Sequence, residues 1–257
     1  MASEASTPEG APADLAIEPA LGFERIMRFL ATAPMRVEGL ITRSSNYTFL
    51  VYLEEEDLGA LAIYKPRAGE TPLWDFPAGT LFQREYAAFL ISEALGWRLV
   101  PPTVLREGEH GLGVVQLYVD ARPQEHYFTL RGRFRRTFQR LAAFDYVINN
   151  ADRKAGHVLL DSHNQVWAID HGVCFNEVYK LRTVIWEYAG QPLPDDIAAA
   201  IEEVLRQLTR RSALREALRG LLNPREMAAL RRRARDLLAS RIFPQPGAGR
   251  PYPWPLI

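Results

Sequence analysis

The alternation of apolar and polar positions predicts a sheet-rich first half of the chain. Short runs rich in Val, Ile, Leu and Tyr are separated by charged or glycine-containing turns, a pattern typical of antiparallel strands. The clearest case is residues 39–66, where the charged turn 54–59 separates two such runs and predicts a β-hairpin. The predicted strands are residues 49–53, 61–64, a short segment around Val104, and 114–119.

Apolar residues at helical spacing predict the remaining elements. Thr80 and Gln83 have the types and spacing of a capping box, and Gly96 suits the position just past a helix end. Asn223 followed by Pro224 is a typical helix start. The predicted helices are residues 80–95, 134–149, a segment that begins at Pro194-Asp195, and 224–240.

The order of these elements predicts an α+β fold with two lobes. Residues 18–119 would form a small, β-rich N-terminal lobe, and residues 120–243 a larger, mainly helical C-terminal lobe. Residues 1–17 are acidic, rich in Ala and Pro and free of Lys and Arg, so we expect a disordered tail. Residues 244–257 are Pro-rich and are expected to form an extended tail.

A second predicted hairpin carries the candidate chemistry. Two β-prone segments, 158–160 and 166–169, flank the polar turn 161–165. Asp152 lies upstream of the first segment, and Asp170 ends the second. Because a hairpin fixes its two ends relative to each other, we expect these two carboxylates to lie close enough to share a phosphate-and-metal site.

The sequence around these carboxylates resembles the catalytic and metal-binding loops of the protein-kinase-like superfamily. Asn-Asn-Ala-Asp-Arg at 149–153 and Ile-Asp-His-Gly at 169–172 are most similar to the phosphatidylinositol 3-/4-kinase and HipA-type branches, including an uncharacterised bacterial family. The resemblance covers roughly residues 40–180 and implies a bilobal kinase-like fold. It also implies a phosphotransferase that uses ATP with Mg²⁺ or Mn²⁺.

The resemblance implies roles for four residues. Lys65 would bridge the nucleotide phosphates, and Glu85 on the following helix would hold it in place. Asp152 would orient the acceptor hydroxyl and accept its proton, and Asp170 would hold the divalent ion. Structural roles are the alternatives: Asp152 could cap a turn, and Asp170 could pair with Arg153.

The sequence gives weaker indications for the other residues that would contact the nucleotide. Ser44, Ser45 and Asn46 lie in the turn before the first strand, where small and hydroxyl side chains would let phosphate oxygens approach the backbone. An ordinary polar turn is the alternative. Gln116 belongs to segment 115–119, which the resemblance implies as the linker between the lobes that contacts adenine.

His157 stands where the similar families have a metal-binding Asn. As a ligand it would favour Mn²⁺ over Mg²⁺, and activity would weaken near pH 6 as the imidazole protonates. It could instead orient Asp152 or be structural. This departure leaves two other functions open. One is a nucleotide-binding module that transfers no phosphate, or transfers AMP. The other is a metalloenzyme that holds one ion with Asp152, His157, Asp170 and His171.

Composition and charge limit the partners. Lys+Arg and Asp+Glu number 31 each, so overall charge does not indicate binding to nucleic acid. No apolar run reaches the roughly 20 residues of a membrane span, and nothing marks a membrane-binding surface. The single cysteine, Cys174, and the lack of a signal-peptide pattern suit a cytoplasmic protein. The expected partners are therefore a nucleotide and an acceptor that is a protein hydroxyl or a small polar alcohol.

Overall fold

The structure, a computed structural model, describes residues 22–41 and 46–257. Ser44, Ser45 and the predicted tail 1–17 lie outside the described residues. The strands are β1 (Met35–Leu40), β2 (Phe49–Glu55), β3 (Leu58–Pro66), β4 (Thr103–Gly108), β5 (Gly111–Leu117), β6 (Val158–Leu160) and β7 (Val166–Ala168). The helices are α1 (Phe23–Thr32), α2 (Leu81–Ala94), α3 (Tyr127–Leu130), α4 (Arg135–Ile148), α5 (Asp195–Thr209), α6 (Ala213–Arg219) and α7 (Pro224–Ser240).

The first five strands form one antiparallel sheet in the order β1-β2-β3-β5-β4. Strands β2 and β3 form the predicted hairpin, but its turn is shorter than expected. Pairing continues to Glu55 and Leu58, so Glu56 and Asp57 alone make the connection. Glu56 has a φ of 56°, as two-residue hairpin turns require. Segment 54–59 therefore contains the paired ends of both strands and a two-residue turn, and is not a six-residue loop.

The two faces of this sheet contact different parts of the molecule. On β3, the buried residues Ala60, Ala62 and Tyr64 belong to the core that α1 covers. Side chains alternate along a strand, so Lys65 lies on the opposite face, toward α2. Helix α1 and strand β1 are not among the predicted elements. The buried face of α1, which includes Phe29, has helical spacing that could have indicated the helix.

Helix α2 is held at its N-terminus by a contact that is distant in sequence. The predicted capping box is wrong, because the Thr80 hydroxyl donates to the carbonyl of Pro77 at 2.7 Å. The Phe82 N–H donates instead to Oε1 of Glu70 at 2.8 Å. At the other end Gly96 has a φ of 67°, which confirms its predicted position beyond the helix.

The C-terminal half is mainly helical and confirms the predicted α+β class. Asn223 caps α7 as predicted: its Oδ1 accepts the N–H of Glu226 at 3.0 Å, and Glu226 Oε2 accepts the N–H of Asn223 at 2.9 Å. The other oxygen of Glu226 lies 2.5 Å from Arg84 of α2, and both side chains are buried. This pair fixes α2 against the helical lobe. The predicted boundary between residues 119 and 120 stays a prediction.

None of the helices in the described ranges is long and apolar enough to span a membrane.

Candidate functional site

An ion-pair network joins β3, α2 and the segment that follows β7. The Lys65 Nζ lies 2.5 Å from Glu85 Oε1 and 3.0 Å from Asp170 Oδ1. Glu85 is 3% exposed, and its Oε2 accepts the backbone N–H of His171 at 2.8 Å. Glu85 therefore contacts both Lys65 and the residue after Asp170, which holds the ammonium and the Asp170 carboxylate in one place.

Lys65 and Asp170 each stabilise the charge of the other. Burial opposes the charge on Lys65, but the carboxylates of Asp170 and Glu85 outweigh it and raise the pKa of Lys65. The Lys65 ammonium in turn lowers the pKa of Asp170, against the opposite effect of burial. One cation between two carboxylates leaves a net negative charge, which favours binding of a metal cation.

Asp170 combines an unusual backbone with an open side chain. Its φ is 64°, a left-handed conformation that Asp tolerates better than most residues. Its side chain is 53% exposed, so a ligand can reach the carboxylate although Lys65 is paired with it.

Arg153 holds the loop that carries Asp152, and it does so from the interior. Its guanidinium binds Asp145 of α4 at 3.0 Å, with both side chains fully buried. Its Nη1 also donates to the carbonyls of His157 at 3.4 Å and Ile169 at 2.9 Å, at the two ends of the β6–β7 hairpin. The alternative in which Asp170 pairs with Arg153 is therefore wrong, because Arg153 already has a buried carboxylate partner.

Asp152 follows a turn that two asparagines shape. Asn149 ends α4 in the left-handed region, with a φ of 56°, and Asn150 Oδ1 accepts the N–H of Asp152 at 3.0 Å. The Asp152 carboxylate lies 2.9 Å from Lys154 Nζ. Partial burial raises the pKa of Asp152, and Lys154 opposes that shift. The side chain is thus a stronger base than an exposed aspartate.

His157 faces Asp170 rather than Asp152. Its Nε2 lies 3.3 Å from Asp170 Oδ2, and its Nδ1 accepts the Lys154 N–H at 3.4 Å. This arrangement favours the tautomer that carries its proton on Nε2. Burial lowers the pKa of His157 to about 4. A pKa this low argues against the weakening expected near pH 6, which stays a prediction.

His171 does not reach the open site. Its side chain is fully buried, with Nε2 2.6 Å from Arg153 Nη2 and its ring against Phe144. Across residues 22–41 and 46–257, no three His, Cys, Asp or Glu side chains are placed to hold one metal ion. The four-ligand metalloenzyme site is therefore wrong, since His171 lies in the interior.

Most of the predicted site residues line one cavity between the sheet and the helical lobe. It is lined by Lys65, Glu85, Asp152, Asp170 and Asn46. The Asn46 Oδ1 accepts the N–H of Thr71 at 2.8 Å, which ties the turn before β2 to the loop after β3.

Glu70 is a cavity residue that the sequence analysis did not identify. One of its oxygens holds the start of α2, and the other is buried without a hydrogen-bond partner among residues 22–41 and 46–257. The only signal in the sequence was its position five residues after Lys65.

Gln116 is not brought to this cavity. It lies on β5 opposite Ile63, on the sheet face that also carries Lys65. Its side chain is 6% exposed and donates to the Thr103 hydroxyl at 3.0 Å. The adenine contact assigned to Gln116 stays a prediction.

Comparisons with known proteins agree with this geometry. The phosphatidylinositol 3- and 4-kinase family profile matches residues 108–221. Phosphatidylinositol 4-kinase gamma 4 of Oryza sativa subsp. japonica is 30% identical over 46% of this chain and 25% of its own length. The structure of the Helicobacter pylori proinflammatory kinase CtkA superposes with a TM-score of 0.51 at 12% identity, over 83% of this chain and 94% of that one. This likeness shows the fold alone and confirms the kinase-like architecture.

A full-length relative defines the family more closely. Protein Rv2133c of Mycobacterium tuberculosis is 40% identical over 88% of this chain and 93% of its own length. The chain therefore belongs to the same family as Rv2133c, within the protein-kinase-like superfamily.

Proposed function

We propose that the protein is an ATP-dependent phosphotransferase whose acceptor is a protein hydroxyl or a small polar alcohol. The observation that carries the proposal is the placement of Lys65 between Glu85 and Asp170, with Asp152 on the same cavity. The kinase-like fold and the match to the phosphatidylinositol 3- and 4-kinase profile support it.

The four residues divide the reaction between them. Lys65 binds nucleotide phosphate oxygens, and Glu85 keeps its ammonium in position. Asp152 accepts the proton of the acceptor hydroxyl as that oxygen forms a bond to the γ-phosphorus. The bond from the γ-phosphorus to the β–γ bridging oxygen breaks, and ADP leaves. The raised pKa of Asp152 suits this role, because a stronger base accepts the proton more readily.

The donor set suits a hard divalent cation. Mg²⁺ is commonly bound by one or two carboxylates together with substrate phosphates and water. The half-exposed carboxylate of Asp170 faces the cavity and would supply such an oxygen. When bound, the ion would neutralise charge on the phosphates. His157 as a further ligand stays a prediction, and the 3.3 Å contact of its Nε2 with Asp170 Oδ2 supports a positioning role as well.

The first experiment is a thermal-shift panel of ATP, GTP and AMP, each with Mg²⁺, Mn²⁺ or EDTA. A ligand at 100 times its Kd stabilises the native state by about 2.7 kcal/mol, which gives a measurable shift. We expect a shift with ATP that requires the metal. Absence of any nucleotide shift in the folded protein would contradict the proposal.

A second function, nucleotide binding without phosphoryl transfer or with transfer of AMP, is favoured by one observation: His157 replaces the expected Asn and contacts Asp170. The position of the ³²P label in ATP distinguishes phosphoryl transfer from AMP transfer. Phosphoryl transfer moves label from γ-³²P-ATP to the acceptor, and AMP transfer moves label from α-³²P-ATP. A protein that binds ATP and releases neither ADP nor pyrophosphate is a binding module.

A further inference from the structure

The chain's own residues 250–257, which we call the strap, lie against the loop that carries Asp152. The Leu256 carbonyl accepts the N–H of Ala155 at 2.7 Å. The Pro251 carbonyl accepts the N–H of Thr183 at 3.0 Å and the indole N–H of Trp186 at 3.1 Å. The strap is thus attached at both of its ends.

These contacts fall beside the proposed catalytic base. Ala155 lies three residues after Asp152 and two before His157. A Cβ built on the next residue, Gly156, would lie 3.8 Å from Cγ2 of Ile257. The end of the strap therefore occupies space next to the loop from which an acceptor hydroxyl would meet Asp152.

The second attachment extends an existing backbone ladder. The Arg153 N–H donates to the Arg182 carbonyl at 2.9 Å, and the Val184 N–H donates to the Arg153 carbonyl at 3.1 Å. Thr183, between these two residues, points its own N–H to Pro251. Segment 182–184 thus binds the Asp152 loop on one side and offers a hydrogen-bond donor to an extended chain on the other.

The strap is held mainly through its backbone. Most of its large apolar side chains remain exposed, including Trp254 at 75% and Ile257 at 62%. Pro253 is the buried side chain of the strap. Segments with few buried apolar contacts open at low cost. The donors of the lobe contact carbonyl oxygens, which every polypeptide has, so another extended chain can take the same place.

We propose that this surface binds extended polypeptides, and that a polypeptide acceptor displaces the strap. The inference rests on the proposed phosphotransferase function and names its acceptor class. Release of the strap then opens the surface beside the loop that carries Asp152.

The test uses the full chain with a substitution within the strap that weakens its attachment. Pro253→Asp places a charge at the buried strap position, and Pro246→Asp makes the same change at an exposed proline as the matched control. The probe is a fluorescein-labelled peptide of residues 250–257, followed by fluorescence anisotropy. We expect the peptide to bind the folded Pro253→Asp protein at least tenfold more tightly than the wild type or Pro246→Asp. Equal binding to all three proteins would overturn the proposal, as would no binding to a folded Pro253→Asp protein.

A second pair of variants tests the surface itself. In the Pro253→Asp background, Trp186→Phe removes the indole donor to Pro251, and Trp167→Phe removes the indole donor to Asp161 as the control. One hydrogen bond corresponds to a loss of about two- to tenfold in peptide affinity. We expect this loss for Trp186→Phe alone. Equal peptide affinity in the two variants would overturn the assigned binding surface.

The acceptor class is tested with γ-³²P-ATP, a mixed Ser, Thr and Tyr peptide library, and vesicles that contain phosphatidylinositol. Faster labelling of peptides by Pro253→Asp than by the wild type would support the proposal. Labelling of lipid alone would overturn the polypeptide acceptor. Failure of the phosphotransferase function is seen separately, as the absence of ADP release and of γ-³²P transfer to either peptide or lipid by any of the proteins.

Discussion

The Arg153–Asp145 pair and the Lys65–Glu85–Asp170 network combine the same kinds of charge in opposite settings. Arg153 and Asp145 are both fully buried, and Arg153 is also bonded to backbone carbonyls. Lys65 is 20% exposed, and Asp170 is 53% exposed. The closed pair therefore fixes the chain, whereas the open network has a carboxylate that a ligand can reach.

Neighbouring residues of one motif therefore lie in different environments. Asp152 and Arg153 are adjacent in sequence, but Arg153 points into the interior and Asp152 lines the cavity. A buried unpaired charge is costly, so removal of Asp145 should affect folding. Removal of Asp152 or Asp170 should affect chemistry and leave folding largely unchanged.

The largest expected effect is on the reaction itself. Asp170→Ala should abolish metal-dependent nucleotide binding, because the exposed carboxylate of the network is lost. Asp152→Ala should retain nucleotide binding and lower transfer by about 10²- to 10⁴-fold, the range for loss of a general base. Thermal shift with ATP and metal measures the first effect, and γ-³²P transfer measures the second. Equal loss of nucleotide affinity in both variants would contradict this division of roles.

The next effect tests the closed pair. Asp145→Ala leaves the guanidinium of Arg153 buried without its carboxylate, which should lower the free energy of unfolding by about 3–5 kcal/mol. Urea denaturation followed by circular dichroism measures the loss. The matched change Asp196→Ala removes an exposed partner of Arg136 and should cost less than about 1 kcal/mol. A loss below 1 kcal/mol for Asp145→Ala would show that Arg153 finds other partners.

Local sequence patterns identified many of the elements, though not α1 or β1, and the family resemblance indicated the residues of the open network. Periodicity located α2, α4 and the β6–β7 hairpin, and the strand–helix order placed Lys65 before Glu85. Such patterns depend on neighbours a few residues apart, which the sequence presents directly. Their ends were less accurate, as the short turn at Glu56 and Asp57 shows.

Contacts between distant residues could not be derived in this way. The choice of Asp145 as partner of Arg153, the cap that Glu70 gives to α2, and the docking of residues 250–257 all depend on tertiary packing. The protonation of His157 is a further case, because burial rather than residue type lowers its pKa to about 4.

A smaller effect separates helices α7 and α2, whose N-termini are held in different ways. Asn223→Ala should lower the free energy of unfolding by about 1 kcal/mol, because the side chain caps α7. Thr80→Ala should cost less than half of that, because Thr80 makes no cap bond to α2. Urea denaturation of both variants measures the difference. Equal losses would mean that Thr80 caps α2 in solution.

The smallest expected effect concerns His157, which contacts Asp170 of the open network. His157→Asn should raise the ratio of Mg²⁺- to Mn²⁺-supported activity several-fold, because an amide oxygen suits Mg²⁺ better than an imidazole nitrogen. The change also removes the imidazole whose Nε2 now lies 3.3 Å from Asp170 Oδ2. His163→Asn, at an exposed histidine in the hairpin turn, is the matched control and should leave the ratio unchanged. Transfer rates measured across a titration of each metal give the ratio. If His157→Asn leaves the ratio at the wild-type value, His157 acts only by positioning Asp170, and the metal is held by carboxylates alone.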